Sequence, residues 1–218
     1  MTTPAYEELV HIPADGVRVE GMLELPADAR GLVLFAHGSG SSRHSPRNNF
    51  VARQLRGRRL GTLLMDLLTV AEDRDYETRF DIGLLTDRLV AATRWVRQQE
   101  RTLHLPIGYF GASTGAAAAL EAAAVLGDAI GAVVSRGGRP DLASDDALAS
   151  VAAPTLLLVG GYDELVLELN RDAYARLTCA KELTIVPGAT HLFEEPGTLD
   201  EVAERAGAWF AEHLAAGR

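Results

Sequence analysis

The chain has 218 residues, with 21 Lys+Arg against 30 Asp+Glu and a formal net charge of −9. This length suits one domain with a substantial core, and the acidic balance argues against nucleic acid or an anionic membrane as partner, since both want a basic face. A single cysteine, Cys179, excludes an intramolecular disulfide and a cysteine-built metal cluster. No apolar run approaches the ~20 residues of a membrane span, and Met1 to Val10 lack a basic segment followed by an apolar one. The expectation is one domain over residues 1–218, soluble and cytoplasmic.

In chain order, Asp15-Gly16 reads as a turn between antiparallel strands near Val10–Ile12 and Val17–Leu25. Gly31–Ala36 follows as a continuous apolar run bounded by turn residues. Similar runs stand at Gly61–Met65, Ile107–Phe110, Ala132–Ser135, Thr155–Val159 and Leu183–Val186. Helical patterns fill the gaps, at roughly Asn48–Arg56, Phe80–Gln99, Gly115–Leu126, Val166–Leu177 and Leu199–Leu214. Strands apolar on both faces and alternating with helices predict βαβ units with right-handed crossovers. With the opening hairpin they predict an α/β fold, an eight-stranded, mostly parallel sheet flanked by helices. Ligands bind such a sheet at the carboxyl ends of its strands.

At one such end, after Ile107–Phe110, stands Gly111-Ala112-Ser113-Thr114-Gly115, followed by an Ala-rich helical stretch. This is G-x-S-x-G between strand and helix, where a nucleophile sits on a sharp, strained turn. Glycines two before and two after the serine supply clearance that side chains would remove. Without the chemistry, the motif is a glycine-bounded turn whose serine caps a helix. Two further sites weigh against that. His37-Gly38-Ser39-Gly40 follows Leu32–Ala36, where the Ser39 and Thr114 backbone N–H groups suit an oxyanion hole; His37 itself is assigned a structural role. Asp163 and His191 follow the strands Thr155–Val159 and Leu183–Val186, again at carboxyl ends. A serine needs a base to take its proton, and the imidazole serves best when a carboxylate fixes its tautomer.

Other residues compete for these roles. His11, His104 and His213 read as surface or packing histidines, and His44 stands on the wrong side of the Ser–Asp–His order to be the base. Glu164 and Glu168 are alternatives to Asp163. Glu194 and Glu195 read as charges at the start of a short turn or helix, and Asp66 as a structural hydrogen-bonding group.

The elbow, the order Ser113…Asp163…His191, and the stretches His37–Asn48, Ser135–Asp141 and Gly188–Phe193 resemble the α/β-hydrolase superfamily over nearly the whole chain. Within it they are similar to a dienelactone hydrolase-like branch. Dienelactone hydrolases proper carry a cysteine nucleophile, whereas Ser113 stands here. The resemblance implies an α/β-hydrolase fold and hydrolysis of a small carboxylic ester, lactone or thioester by Ser113, Asp163 and His191, with no cofactor. Only Arg136 to Pro154 separates the sixth predicted strand from the next where a cap would be inserted. That is enough for one helix and no cap domain. No metal-ligand spacing, Walker loop or dinucleotide fingerprint is present. Acyl transfer or peptide cleavage by the same triad, and ligand binding without catalysis, are the alternatives.

Arg43, His44, Arg47, Arg136 and Arg139 all fall beside the predicted site in an acidic chain. Two readings stand: Arg43, His44 and Arg136 bind an anionic group of the substrate, or the arginines pair with carboxylates as scaffold.

Overall fold

A computed structural model describes residues 4–214. A hairpin of β1 (Tyr6–Ala14) and β2 (Val17–Leu25) opens the chain, followed by β3 (Gly31–Ala36), α1 (Pro46–Gly57), β4 (Leu60–Met65) and α2 (Ile82–Val96). Then come β5 (Ile107–Ala112), α3 (Thr114–Leu126), β6 (Ile130–Arg136), α4 (Asp145–Ser150), β7 (Thr155–Gly160), α5 (Glu164–Arg176), β8 (Lys181–Val186) and α6 (Thr198–His213). The eight strands form one sheet in the order β1-β2-β4-β3-β5-β6-β7-β8. β1 and β2 run antiparallel to each other, and β2 antiparallel to β4. All other neighbours are parallel. This is the predicted fold, an α/β-hydrolase sheet flanked by helices. Only a 3₁₀ turn, Pro140–Leu142, and the short α4 lie between β6 and β7, so no cap stands there.

Alternation along the strands splits the core into two layers. Leu32, Leu34 and Ala36 of β3 face one layer with Leu89 of α2, Leu120 of α3 and Ala173 of α5. Val33 and Phe35 face the other, with Val51 and Leu55 of α1 and Ala206 and Phe210 of α6. The ring centroids of Phe35 and Phe110 lie 4.9 Å apart in that second layer. No described helix is long and apolar enough to cross a membrane.

Several boundaries differ from the sequence expectation for local reasons. β1 extends well beyond Val10–Ile12: exposed Leu9, His11 and Pro13 alternate with buried Val10, Ile12 and Ala14 on a half-buried surface strand, and exposed Glu7 and Glu8 continue it along the sheet edge. α2 begins at Ile82 rather than Phe80, because the Asp81 side chain accepts the Leu84 N–H and caps the helix. The segment before it, Thr78–Phe80, is a 3₁₀ turn.

The closest crossing is where α3 passes the end of β3. A side-chain carbon on Gly115 would be driven into the Ala36 carbonyl and come within 2.5 Å of the His37 carbonyl oxygen. Backbone cannot yield there as a flexible side chain can. Gly115→Ala is therefore expected to abolish soluble folded protein. Gly57→Ala, at the end of α1 with open space around it, is expected to be neutral or to stabilise by up to ~1 kcal/mol. Urea unfolding checks both, and a folded Gly115→Ala of wild-type stability would contradict the packing argument.

Candidate active site

β5 ends in the elbow. Ser113 adopts φ 51° and ψ −123°, a left-handed value that residues with a Cβ rarely take. It is held there by its neighbours: Ser113 N–H donates to the Arg136 carbonyl (3.3 Å), and the Ser113 carbonyl accepts from Ala116 (3.0 Å) and Arg139 (3.1 Å). Over-determination of this kind is what lets a strained residue persist. A side chain on Gly111 would meet the Ala116 N at 2.8 Å, and one on Gly38 would meet the Ser113 Cβ at 3.0 Å.

Asp163 and His191 are brought together. The His191 Nδ1–H donates to Asp163 Oδ2 at 2.6 Å, with the carboxylate largely buried and the imidazole about a third exposed. The two loops that carry them are laced by backbone bonds from Gly161 N–H to the Val186 carbonyl and from Tyr162 N–H to the Ala189 carbonyl, both 2.9 Å. The histidine loop is closed from its far side by Glu195, whose carboxylate accepts the Thr190 hydroxyl (2.6 Å) and N–H (3.1 Å). Those bonds, the hydroxyl foremost, hold the Glu195 carboxyl below its ordinary range. Sequence reading gave Glu195 only a terminal-charge role, although its place five residues after Thr190 was a local signal. Ser113 lies in the same region, because its N–H bonds the Arg136 carbonyl and a side-chain carbon on the next residue, Gly137, would come 3.6 Å from His191 Nδ1. Ser113 Oγ and His191 make no hydrogen bond to each other; such bonds are often long without substrate.

The loop after β3 is anchored in three ways. His37 Nδ1–H donates to the Gly38 carbonyl (2.9 Å), while its Nε2 accepts the Leu67 N–H (3.0 Å). Both ring nitrogens are thus committed, as its expected structural role requires. Asp66 accepts the Arg43 N–H (2.8 Å) and pairs with the Arg43 guanidinium, whose Nη2 also meets Glu20 at 2.5 Å. Asn49 Nδ2 donates to the Arg43 carbonyl (2.9 Å). Arg43 is thus engaged by two carboxylates, the arrangement that its scaffold reading describes. His44 is exposed, and its side chain makes no hydrogen bond among the described residues.

One predicted donor is differently occupied. The Ser39 N–H points at Thr114 Oγ1, 2.9 Å away, so in this state the threonine side chain holds the amide expected to face an oxyanion. Arg139 pairs with Asp141 through two bonds (2.8 and 2.7 Å), whereas Arg136 has no carboxylate partner among the described residues.

No family model matches the chain. It is 57% identical over 211 residues to a Mycobacterium tuberculosis protein, found in strains CDC 1551 and H37Rv, whose provisional name is phosphoribosyl transferase. The match takes in 97% of this chain but spans only about half (47%) of that relative's length. A crystal structure of dienelactone hydrolase from Anabaena variabilis is 54% identical, with a TM-score of 0.94, over 98% of this chain and 100% of that one. Est1E from Butyrivibrio proteoclasticus shares the fold at 17% identity and a TM-score of 0.81, over 94% of this chain and 98% of its own.

Burial holds the His37 imidazole below its ordinary value of 6.5. Below that pH the unfolded chain binds a proton that the folded chain refuses. Stability should therefore fall as pH drops from 6.5, with a limiting slope from this group of ~1.4 kcal/mol per pH unit. Urea unfolding of wild type and His37→Gln between pH 7.5 and 5 is expected to show a shallower dependence in the variant; equal slopes would contradict the assignment.

The relative of matching length and high identity, joined to the sheet order and the elbow, places the chain in the α/β-hydrolase superfamily, in its dienelactone hydrolase-like branch.

Proposed function

We propose that this protein is a serine hydrolase of small carboxylic esters, extending to lactones or thioesters, that works through an acyl-enzyme on Ser113. The observation that carries the reading is the 2.6 Å Asp163–His191 bond at the cleft that the strained Ser113 borders. That bond fixes the tautomer in which His191 Nδ1 carries the proton and Nε2 is left as a base. A ligand-binding protein needs neither a strained serine nor a carboxylate-oriented imidazole.

In this mechanism Ser113 Oγ attacks the acyl carbon while His191 Nε2 takes its proton. The carbonyl oxygen becomes an oxyanion beside the Thr114 N–H, at the positive end of α3. The Ser39 N–H joins as second donor once the Thr114 hydroxyl turns aside from it. The C–O bond then breaks, and His191 returns the proton to the leaving alkoxide. Water attacks the acyl-serine with His191 as base, and the proton ends on Ser113 Oγ. The short β6–β7 connection leaves the mouth open to a small substrate without a cap to move.

The name given to the M. tuberculosis relative belongs to a protein about twice as long. Our proposal for this chain rests on the elbow and the Asp163–His191 pair and does not include phosphoribosyl transfer.

A fluorophosphonate probe followed by intact mass and peptide mapping tests the proposal. One adduct is expected on Ser113, greatly slowed by His191→Ala, and Ser113→Ala is expected to lower ester turnover about 10³-fold or more while remaining folded. A folded protein that takes no label would overturn it.

A further inference from the structure

Buried charges are ordinarily paired, and most arginines around the cleft obey. Arg43 meets Asp66 and Glu20, Arg139 meets Asp141, and Arg47 Nη1 meets Glu194 at 2.9 Å. Arg136 does not. It is only 7% exposed, yet its Nε and Nη1 are sealed from solvent with no hydrogen-bond partner. Burial, with repulsion from the nearby Arg47, lowers its pKa to about 10, so it stays charged at neutral pH.

Its position is specific. The Arg136 carbonyl accepts the Ser113 N–H, so this residue is bonded directly to the elbow. Two positions beyond Val134, its side chain lies on the α1/α6 face of the sheet. There the guanidinium carbon is 5.9 Å from the ring centroid of Phe193, two residues after His191. An aromatic face offsets part of an isolated cation's desolvation but supplies no acceptor for its N–H groups. The same region receives the N-terminus of α1, capped by Ser45 with Pro46 at the first turn. Arg47, whose charge acts on Arg136, has a buried Nε without a hydrogen-bond partner among the described residues, and so has the next residue of α1, Asn48, at its Oδ1.

We propose that Arg136 and Arg47, with the N-terminus of α1, form an anion subsite next to the catalytic cleft that takes a phosphate group carried by the ester substrate. This rests on the hydrolase reading above. Phosphate fits better than carboxylate on two counts. Two guanidinium groups and a helix end offer more positive charge than one carboxylate neutralises, with Glu194 cancelling one charge. The open set also includes an acceptor, Asn48 Oδ1. A singly protonated phosphate can donate to it, whereas a carboxylate at neutral pH has no hydrogen to give.

Hydrolysis of O-acetyl glycerol 3-phosphate, acetoxyacetate and glycerol monoacetate, which differ in the charged group, tests this. The kcat/KM ratio of the phosphate ester to the neutral one is expected to fall about tenfold or more in Arg136→Met, and by a smaller factor in Arg47→Gln. An unchanged ratio in both variants, or a preference for acetoxyacetate over the phosphate ester, overturns the subsite. Arg136→Met removes an unpaired buried charge and should melt no lower than wild type. If Arg136→Met fails to fold, Arg47→Gln at its partly exposed position carries the test. Calorimetric titration of Ser113→Ala with inorganic phosphate separates this idea from the hydrolase reading, because it needs no turnover. Saturable binding that is lost when Arg47→Gln is added supports the subsite, and no binding overturns it.

Discussion

The constraint on which the site depends is the left-handed backbone of Ser113. A residue with a Cβ is held at φ 51° only because three structures converge on it: the end of β5, the start of α3 and the loop after β3. Each approaches through a glycine, at Gly111, Gly115 and Gly38, and the remaining tension is balanced by hydrogen bonds to Arg136, Ala116 and Arg139. The Ala-rich face of α3 serves the same end, since Ala116 to Ala119 are buried without bulk and let the helix lie close to the sheet. Crowding, strain and the partly exposed Ser113 side chain are therefore one arrangement seen from three sides. That is why the motif tolerates so little variation in side-chain volume.

Around this fixed point, the other parts are positioned by polar contacts rather than by the core. The acid and histidine loops hold each other through backbone bonds and are braced by Glu195. The loop after β3 is tied to the end of β4 by Asp66, Arg43 and His37. Most of these groups lie in loops at the carboxyl edge of the sheet. A rigid apolar body thus carries a polar rim in which each loop is restrained by a neighbour from a different strand. This is the condition for presenting a nucleophile, a base and amide donors in fixed relation.

Much of this was legible in the sequence. Two-face apolar runs marked six strands: in β3 to β7 burial on both sides forbids alternation, while the edge strand β8 carries an apolar run although Ile185 is exposed. The elbow was legible because its steric demand is local, and the Asp163–His191 pairing because both residues had to follow strand ends. The rest required contacts between distant residues. Arg43, Arg136 and Arg139 look equivalent along the chain, and only the fold distinguishes them. Asp66 reaches Arg43 across a crossover, Asp141 reaches Arg139 across a turn, and nothing acidic among the described residues reaches Arg136. The bond from Ser39 to Thr114 was equally out of reach, since residues 75 apart meet only once β3 and β5 are paired.

The two histidines at the carboxyl edge show how the same side chain can be fully engaged or left with one ring nitrogen free. His37 has both nitrogens committed, Nδ1 donating to Gly38 and Nε2 accepting from Leu67, inside a site that also disfavours its charged form. It has no lone pair left to accept a proton and no room to turn. His191 commits only Nδ1, to a carboxylate, and keeps a partly exposed ring. In the proposed mechanism Asp163 orients His191 to take the Ser113 proton, whereas burial around His37 disfavours its charged form. What distinguishes the two rings is neither the residue nor its strand-end position. It is the number of ring nitrogens that the surrounding backbone has already engaged.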